Sequence, residues 1–169
     1  MSPTTLVVMG CVGAGKSTVG EAVANRLGWA FVEGDELHPA ANRLKMAGGV
    51  PLTDEDREPW LRRIAGRIAA QESLGLDSVV TCSGLRRAYR ALLADRNGSV
   101  RFVALDVPET ELARRLAARR DHFMPPTLLR SQLEAFEPLA ADEPGVTVDA
   151  TGEPAEVATR VLEAFAGLS

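Results

Sequence analysis

The stretch Gly10-Cys11-Val12-Gly13-Ala14-Gly15-Lys16-Ser17 restricts the possible folds of this chain more than any other feature. It fits the pattern G-x-x-x-x-G-K-[ST], in which glycines let the backbone wrap round phosphate groups with its N–H groups pointing inward. The apolar run 6–9 precedes it, and residues 18–27 follow with the spacing of an amphipathic helix. Strand, glycine loop and helix in this order predict a nucleotide-binding loop whose contacts come from Gly10, Val12, Gly13, Ala14, Gly15, Lys16, Ser17 and Thr18.

Two side chains of this loop have specific predicted roles. Lys16 supplies a mobile positive charge for the β- and γ-phosphates, and the Ser17 hydroxyl is a ligand for magnesium. The helix that begins near Gly15 adds the positive end of its dipole. A glycine-rich turn without a ligand would give no reason for lysine and serine at these two places. We therefore expect a nucleoside triphosphate and Mg²⁺ to bind here.

The alternation of apolar runs and helical patterns continues to the end of the chain. Strands are predicted at 30–33, 78–82, 100–105 and 146–148, and helices at 40–46, 55–74, 87–94, 109–120, 128–137 and 155–166. Short apolar strands separated by helices are typical of an α/β fold whose parallel sheet is covered on both faces. A length of 169 residues fits one domain, 1–169. Ligands of such sheets gather at the carboxyl ends of the strands.

Composition and charge exclude several classes of protein. The formal net charge of −4 provides no basic face for nucleic acid, so the predicted ligand is a small nucleotide. No apolar run is long enough to span a bilayer, and residues 1–5 lead into the first strand without a charged leader, so we expect a cytoplasmic protein without membrane contact. Cys11 and Cys82 are too few for a disulfide framework or a zinc site.

An acidic segment follows the second predicted strand, where it would face the γ-phosphate. Asp35 is the candidate base, because a kinase needs a carboxylate there to orient the acceptor hydroxyl and take its proton. Glu33, on the same side of an extended chain, is placed to order the water shell of magnesium. His38 precedes Pro39, which favours an extended conformation, and it is a candidate contact to substrate hydroxyls. The alternative is a solvated acidic turn that caps the next helix.

Three basic residues are candidates for binding an anionic acceptor. Lys45 lies before the Gly48-Gly49 pair, and Arg87 and Arg90 follow the third predicted strand. Planar guanidinium groups suit a carboxylate because they bind it in bidentate fashion. The alternative is that these side chains are solvated charges on helix faces, paired with Glu or Asp.

The segment from Arg114 to Pro126 has the composition of a lid, because a basic run is followed by two prolines. Arg119 and Arg120 are predicted to neutralise the transferring phosphoryl group, whereas Arg114 and Arg115 are expected to be solvated. His122 either contacts substrate or pins the lid. We place the mobile lid at about 119–136.

Several longer motifs together resemble the gluconokinases of the P-loop type. They extend from about Val7 to Pro138 and comprise the phosphate-binding loop, Glu33-Gly34-Asp35-x-Leu37-His38-Pro39, Lys45-Met46, Pro51-Leu52-Thr53-Asp54-Glu55-Asp56-Arg57-x-Pro59-Trp60-Leu61, Cys82-Ser83-x-Leu85, Tyr89-Arg90 and His122-Phe123-Met124-Pro125. The phosphate-binding loop is shared with many families, whereas the EGDxLHP, PLTDEDRxPWL and HFMP stretches are specific. Gly84 and Arg86 stand where the family pattern has alanine and lysine.

The resemblance implies an activity, a fold and a set of site residues. The activity is phosphoryl transfer from ATP to the 6-hydroxyl of D-gluconate, and the fold is a three-layer α/β/α P-loop kinase fold with a five-stranded parallel sheet in the order 2-3-1-4-5. It also implies a homodimer. Carried over by position, the residues that hold phosphate and magnesium are Lys16, Ser17 and Thr18, the base is Asp35, and the acceptor-site residues are His38, Lys45 and Arg87. Looser similarity to shikimate kinase makes Arg119 or Arg120 a lid arginine and places Pro154 along the adenine.

Two alternatives remain at this stage. A kinase of the same fold could act on another sugar acid or on shikimate, although Cys82-Ser83-Gly84 stands where shikimate kinases have a glycine triplet. A nucleotide-hydrolysing switch would need a magnesium aspartate at the end of a strand, and Asp106 could be mistaken for one. The chain has no Asn-Lys-x-Asp motif for reading guanine.

Overall fold

The computed structural model describes residues 2–95, 98–119 and 126–168. The strands are β1 (Thr5–Met9), β2 (Ala30–Val32), β3 (Ser78–Thr81), β4 (Val100–Asp106) and β5 (Gly145–Asp149). The helices are α1 (Lys16–Leu27), α2 (Ala40–Ala47), α3 (Asp54–Ser73), α4 (Arg87–Ala94), α5 (Glu109–Ala117), α6 (Pro126–Ala135) and α7 (Pro154–Ala166), and a short 3-10 helix spans Gly34–Leu37.

The five strands form one parallel sheet in the order β2-β3-β1-β4-β5, which confirms the predicted fold. Strand β1 lies in the centre, and Val7 is aligned with Val80 on one side and Phe102 on the other. All five residues of β1 are buried, although successive side chains point to opposite faces of a sheet. Helices therefore cover both faces, and among them α1 packs against α7 and α3 packs against α4.

Two helices end earlier than the hydrophobic pattern predicts. Helix α5 ends at Ala117 instead of Arg120, and α6 ends at Ala135 instead of Glu137. For α6 the reason is Pro138, which disfavours a helical conformation at the residue before it. The Glu137 N–H instead donates to the carbonyl oxygen of Leu85 at 2.6 Å, which joins this segment to the end of β3.

The segment after β2 is held tightly against the end of β3. The Gly34 N–H donates to Thr81 Oγ1 at 3.0 Å, and the Trp60 indole N–H donates to the Gly34 carbonyl at 2.8 Å. A Cβ at Gly34 would lie 1.9 Å from the Thr81 carbonyl oxygen, so no larger residue fits. This close approach fixes the 3-10 helix, and with it Asp35, at the carboxyl edge of the sheet.

Candidate active site

The phosphate-binding loop joins β1 directly to the start of α1. Gly15 precedes the helix with φ 93°, in the left-handed region that favours glycine. No side chain in the described part of the chain caps the start of α1, and its first turn holds no acidic residue. The N–H groups of that turn and the positive end of the helix dipole are therefore available to an anion.

Lys16 lies against the loop that carries it. Its Nζ donates to the carbonyl oxygens of Gly10 and Cys11 at 2.9 and 3.1 Å. The charge is thereby held over the loop, next to the hydroxyl-bearing residues Ser17 and Thr18, as a phosphate-binding role requires.

Three cavities lie along the carboxyl edge of the sheet. The outer cavity, of about 580 Å³, lies between Gly13–Gly15, α5 and the segment Ala150–Pro154. The middle cavity is lined by the loop residues Val12, Gly13 and 15–18 together with Asp35 and Arg119. The inner cavity, of about 80 Å³, is bounded by the loop, the 3-10 helix, α3 and α6, and its polar lining includes Lys16, Asp35, His38, Arg57, Ser83, Ser131 and Gln132.

Neighbouring cavities share lining residues, and these include three residues that were predicted to be catalytic. Arg119 lines both the outer and the middle cavity, and Lys16 and Asp35 line both the middle and the inner cavity. Pro154 lines the outer cavity, and His38 lines the inner one. The geometry thus brings most of the predicted nucleotide residues and two predicted acceptor residues into one continuous arrangement.

Glu33 lies beside this arrangement and is half-buried. Its Oε1 accepts a hydrogen bond of 2.5 Å from the Thr81 hydroxyl, which orients the carboxylate at the end of β2. With the exposed Ser17 hydroxyl it offers the oxygen ligands or water contacts that Mg²⁺ prefers. Within residues 2–95, 98–119 and 126–168 there is no cluster of three or more His, Cys, Asp and Glu that could hold a metal by itself. A magnesium ion would therefore depend on phosphate oxygens and water for its other ligands.

His38 is buried and rigidly held. It has the extended conformation predicted for a residue before proline, with φ −64° and ψ 137°. Its ring stacks on Trp60, with 4.0 Å between ring centroids. Burial lowers the pKa of His38 to about 4; nearby Asp35 opposes this shift, and Arg43 and Arg57 add to it. The imidazole is therefore neutral at physiological pH.

Two of the three basic residues that were predicted to bind an anionic acceptor form ion pairs with acidic side chains. Lys45 pairs with Asp56 at 2.7 Å and Arg87 with Asp142 at 2.5 Å, and neither side chain lines the inner cavity. The geometry of Lys45 and Arg87 matches the alternative given above, in which each is a charge on a helix face paired with an acidic residue.

Arg90 departs furthest from the prediction, because only 1% of its side chain is exposed. Its guanidinium forms two hydrogen bonds to Glu143 and donates to the carbonyls of Gly84, Glu137 and Pro138. Four of these five contacts hold the chain after α6 against α4, and the contact with Gly84 holds the segment before α4. A guanidinium committed in this way has no donor left for a substrate.

Arg57 occupies the place that the other arginines were expected to fill. It is 7% exposed, lines the inner cavity, and donates to the Tyr89 hydroxyl at 3.0 Å. Its guanidinium lies 5.3 Å from the Tyr89 ring centroid. The sequence holds a signal for it, because Arg57 shares a helix face with buried Trp60 and Ile64 at spacings of three and seven. An arginine on such a face is rarely there for packing.

Arg115 is a second residue that the sequence interpretation missed. It was expected to be solvated, but only 22% of its side chain is exposed. Its guanidinium donates to the carbonyls of Gly13 at 3.2 Å and Ala150 at 3.0 Å, so it joins the phosphate-binding loop to the segment after β5. Arg114, in contrast, is 70% exposed, as expected.

Gln132 links the phosphate-binding loop to α6. Its side-chain oxygen accepts a hydrogen bond of 2.6 Å from the Val12 N–H, and Gln132 also lines the inner cavity. No local sequence pattern marks this contact, because 120 residues separate the two partners. Arg120 and His122, which were predicted for catalysis and substrate binding, lie outside the described residues.

The fold and these cavities define the class of P-loop kinases. A family model described as an AAA domain matches residues 6–139. The shikimate kinase of Aquifex aeolicus vf5 has the same fold, with a TM-score of 0.62 over 97% of each chain at 17% identity.

Closer relatives define the family. A gluconokinase of Gluconobacter oxydans (strain 621H) is 45% identical over 165 residues, which cover 98% of this chain and 93% of that protein. The crystal structure of a gluconokinase from Sinorhizobium meliloti 1021 matches with a TM-score of 0.89 and 45% identity, again over 98% of this chain and 93% of that one. The chain belongs to the gluconokinase family, which confirms the resemblance drawn from the sequence motifs.

Proposed function

We propose that this protein transfers the γ-phosphate of ATP to the 6-hydroxyl of D-gluconate, giving 6-phospho-D-gluconate and ADP. Membership of the gluconokinase family supports the choice of substrate. The observation that carries the proposal is the position of Lys16 and Asp35 in the wall between the middle and inner cavities. A phosphate in the middle cavity and a hydroxyl in the inner cavity would meet at these two side chains.

On the nucleotide side, the outer cavity accepts the adenosine and the middle cavity accepts the phosphates. Pro154 lies beside the base, and loop N–H groups and Lys16 bind phosphate oxygens. Bound Mg²⁺, held by Ser17 and through a water shell that Glu33 orders, would neutralise charge on the phosphates. Arg119 adds positive charge next to the transferred group.

On the acceptor side, Asp35 takes the proton of the attacking hydroxyl, since its carboxylate faces both cavities. Arg57 binds the carboxylate of the sugar acid, because it brings a buried positive charge to the inner cavity. His38 contacts a substrate hydroxyl. Positioning and charge neutralisation supply most of the rate enhancement in phosphoryl transfer.

Three further features belong to the proposal. Residues 119–136, of which 120–125 lie outside the described residues, are proposed as a lid that excludes water when substrates are bound. Helix α6 already closes one side of the inner cavity through Leu128 and Gln132, which supports that assignment. The described part of the chain has no helix that is long and apolar enough to cross a bilayer. A cytoplasmic location and a homodimer stay predictions.

The test measures ADP release from ATP and magnesium with D-gluconate, shikimate, other sugar acids, nucleoside monophosphates or no acceptor. Lys16→Ala serves as the inactive control for contaminating kinases. Release that depends on D-gluconate supports the proposal. Release that needs no acceptor and does not change with D-gluconate would mean an ATPase, and release with another acceptor alone would reassign the substrate.

A further inference from the structure

The side-chain amide of Asn42 makes two contacts that together determine where the proton of His38 lies. Asn42 is in the first turn of α2 and is 3% exposed. Its side-chain nitrogen lies 2.9 Å from the backbone carbonyl oxygen of Asp56 and 3.1 Å from Nδ1 of His38. One amide nitrogen thus bridges the start of α3 and the imidazole ring.

The chemistry of these groups leaves a single arrangement of hydrogens. A carbonyl oxygen only accepts, so the atom that faces Asp56 must be the NH₂ group of Asn42 and not its oxygen. The second hydrogen of the same NH₂ group points to His38, and Nδ1 must therefore accept. In a neutral imidazole the proton is then on Nε2.

This tautomer decides what His38 can offer to a bound molecule. His38 lines the inner cavity, and with Nδ1 held by Asn42 the ring nitrogen that can reach a ligand is Nε2. Burial and the stacked Trp60 ring hold the imidazole neutral and fix its plane. The charged groups that act on it are Asp35, Arg43 and Arg57.

We propose that Asn42 is a positioning residue that locks His38 into the Nε2-protonated tautomer, so that His38 donates a hydrogen bond to the acceptor and cannot serve as its base. Proton abstraction is thereby left to Asp35, which lines the same cavity. The role toward a sugar acid depends on the proposed function, whereas the tautomer and its dependence on Asn42 do not.

The first test is a long-range ¹H–¹⁵N correlation spectrum of the imidazoles in the protein without substrate. The chain has only two histidines, so a His122→Gln variant assigns both signals. A protonated Nε2 and an unprotonated Nδ1 on His38 at neutral pH support the proposal. A proton on Nδ1 would overturn it, whatever the protein phosphorylates.

The second test removes the donor. In Asn42→Asp the carboxylate only accepts, so Nδ1 of His38 should become protonated; in Asn42→Ala both tautomers should appear. Circular dichroism and thermal unfolding identify which variants fold, and Asn42→Ala decides the question if Asn42→Asp does not. A folded variant that keeps the wild-type tautomer would show that Asn42 does not set it.

The third test concerns the donor function itself. His38→Gln keeps an N–H group near the position of Nε2, whereas His38→Met has similar length and no donor. The two variants differ by one hydrogen bond to the ligand, so we expect KM for D-gluconate to be about tenfold higher in His38→Met than in His38→Gln. Equal KM values in the two variants would show that His38 donates no hydrogen bond to the acceptor.

Discussion

The middle and inner cavities share a wall but are built from different parts of the chain. The middle cavity is formed largely by one continuous stretch, from Val12 to Thr18, and it offers backbone N–H groups and a helix terminus. The inner cavity is formed by side chains from the loop, the 3-10 helix, α3 and α6. A site made of backbone depends on local conformation, whereas a site made of side chains depends on how distant elements pack.

The same contrast separates two buried arginines. Arg90 and Arg57 are 1% and 7% exposed, and both lie on helices near the carboxyl edge of the sheet. Arg90 is neutralised by Glu143, whereas Arg57 forms no direct ion pair within the described residues and bonds to the hydroxyl of Tyr89, which in turn donates to Asp54. A buried charge without an acidic partner is costly unless a ligand compensates it. The two arginines are alike in burial and differ in their partners, which is why the proposed function assigns binding to Arg57 and not to Arg90.

Asp35→Asn should have the largest effect, because it removes the base at the wall between the two cavities. We expect kcat to fall by about a hundredfold to ten-thousandfold, with KM for ATP little changed. Initial rates of ADP release with D-gluconate measure both constants, and thermal unfolding checks that the variant folds. Turnover near the wild-type value would show that another group is the base.

Arg90→Met tests the structural side of the contrast between the arginines. Removing one partner of a buried pair leaves Glu143 uncompensated, which costs about 3–5 kcal/mol of unfolding free energy and lowers Tm by roughly 10 °C. The guanidinium also lowers the pKa of Glu143, so the stability that the pair contributes is present above the ordinary pKa of a glutamate and is lost on acidification below it.

The double variant Arg90→Met/Glu143→Leu is the matched control, because it leaves no unpaired charge. It should recover a large part of the lost Tm. KM for D-gluconate should stay at the wild-type value in the folded fraction of Arg90→Met. A raised KM with unchanged Tm would instead restore Arg90 as a substrate contact.

The sequence predicts this molecule best where the determining contacts are local. The phosphate-binding loop, the positions of the strands along the chain and the extended conformation of His38 all depend on neighbouring residues, and the structure has each of them. Arg90 could not be assigned in this way, because its partner Glu143 is 53 residues away and meets it only through tertiary packing. The ion pair of Arg87 with Asp142, 55 residues away, depends on tertiary packing in the same way.

Arg57 and Arg115 differ in whether the sequence could have identified them. Arg57 has a local sign in the sequence, because it lies on the apolar face of α3 with Trp60 and Ile64. Arg115 had no such sign, since its carbonyl partners are backbone atoms of the loop and of Ala150. Backbone acceptors occur at every residue, so no sequence pattern marks them.

Arg57→Met tests the binding side of the same contrast. Losing a charge-assisted hydrogen bond to the substrate carboxylate should raise KM for D-gluconate about tenfold to a hundredfold and leave KM for ATP nearly unchanged. Arg57→Lys should recover only part of the affinity, because an ammonium group does not reproduce bidentate binding.

Arg62→Met is the matched control on the same helix, because Arg62 is 65% exposed and pairs with Glu58. It should leave both KM values and Tm almost unchanged. If Arg57→Met and Arg62→Met behave alike toward D-gluconate, Arg57 does not bind the carboxylate, and the inner cavity does not recognise its ligand through this charge.

Gln132→Leu should have the smallest effect, and it tests how separate the two cavities are. Gln132 accepts from the Val12 N–H of the loop and also lines the inner cavity, so it belongs to both. Losing one neutral hydrogen bond is worth about 0.5–1.5 kcal/mol, which predicts a twofold to tenfold fall in kcat/KM. If kcat/KM falls for ATP as well as for D-gluconate, α6 links the acceptor cavity to the phosphate-binding loop. If it falls for D-gluconate alone, Gln132 is one more side chain of the inner cavity, and the loop holds its conformation without help from α6.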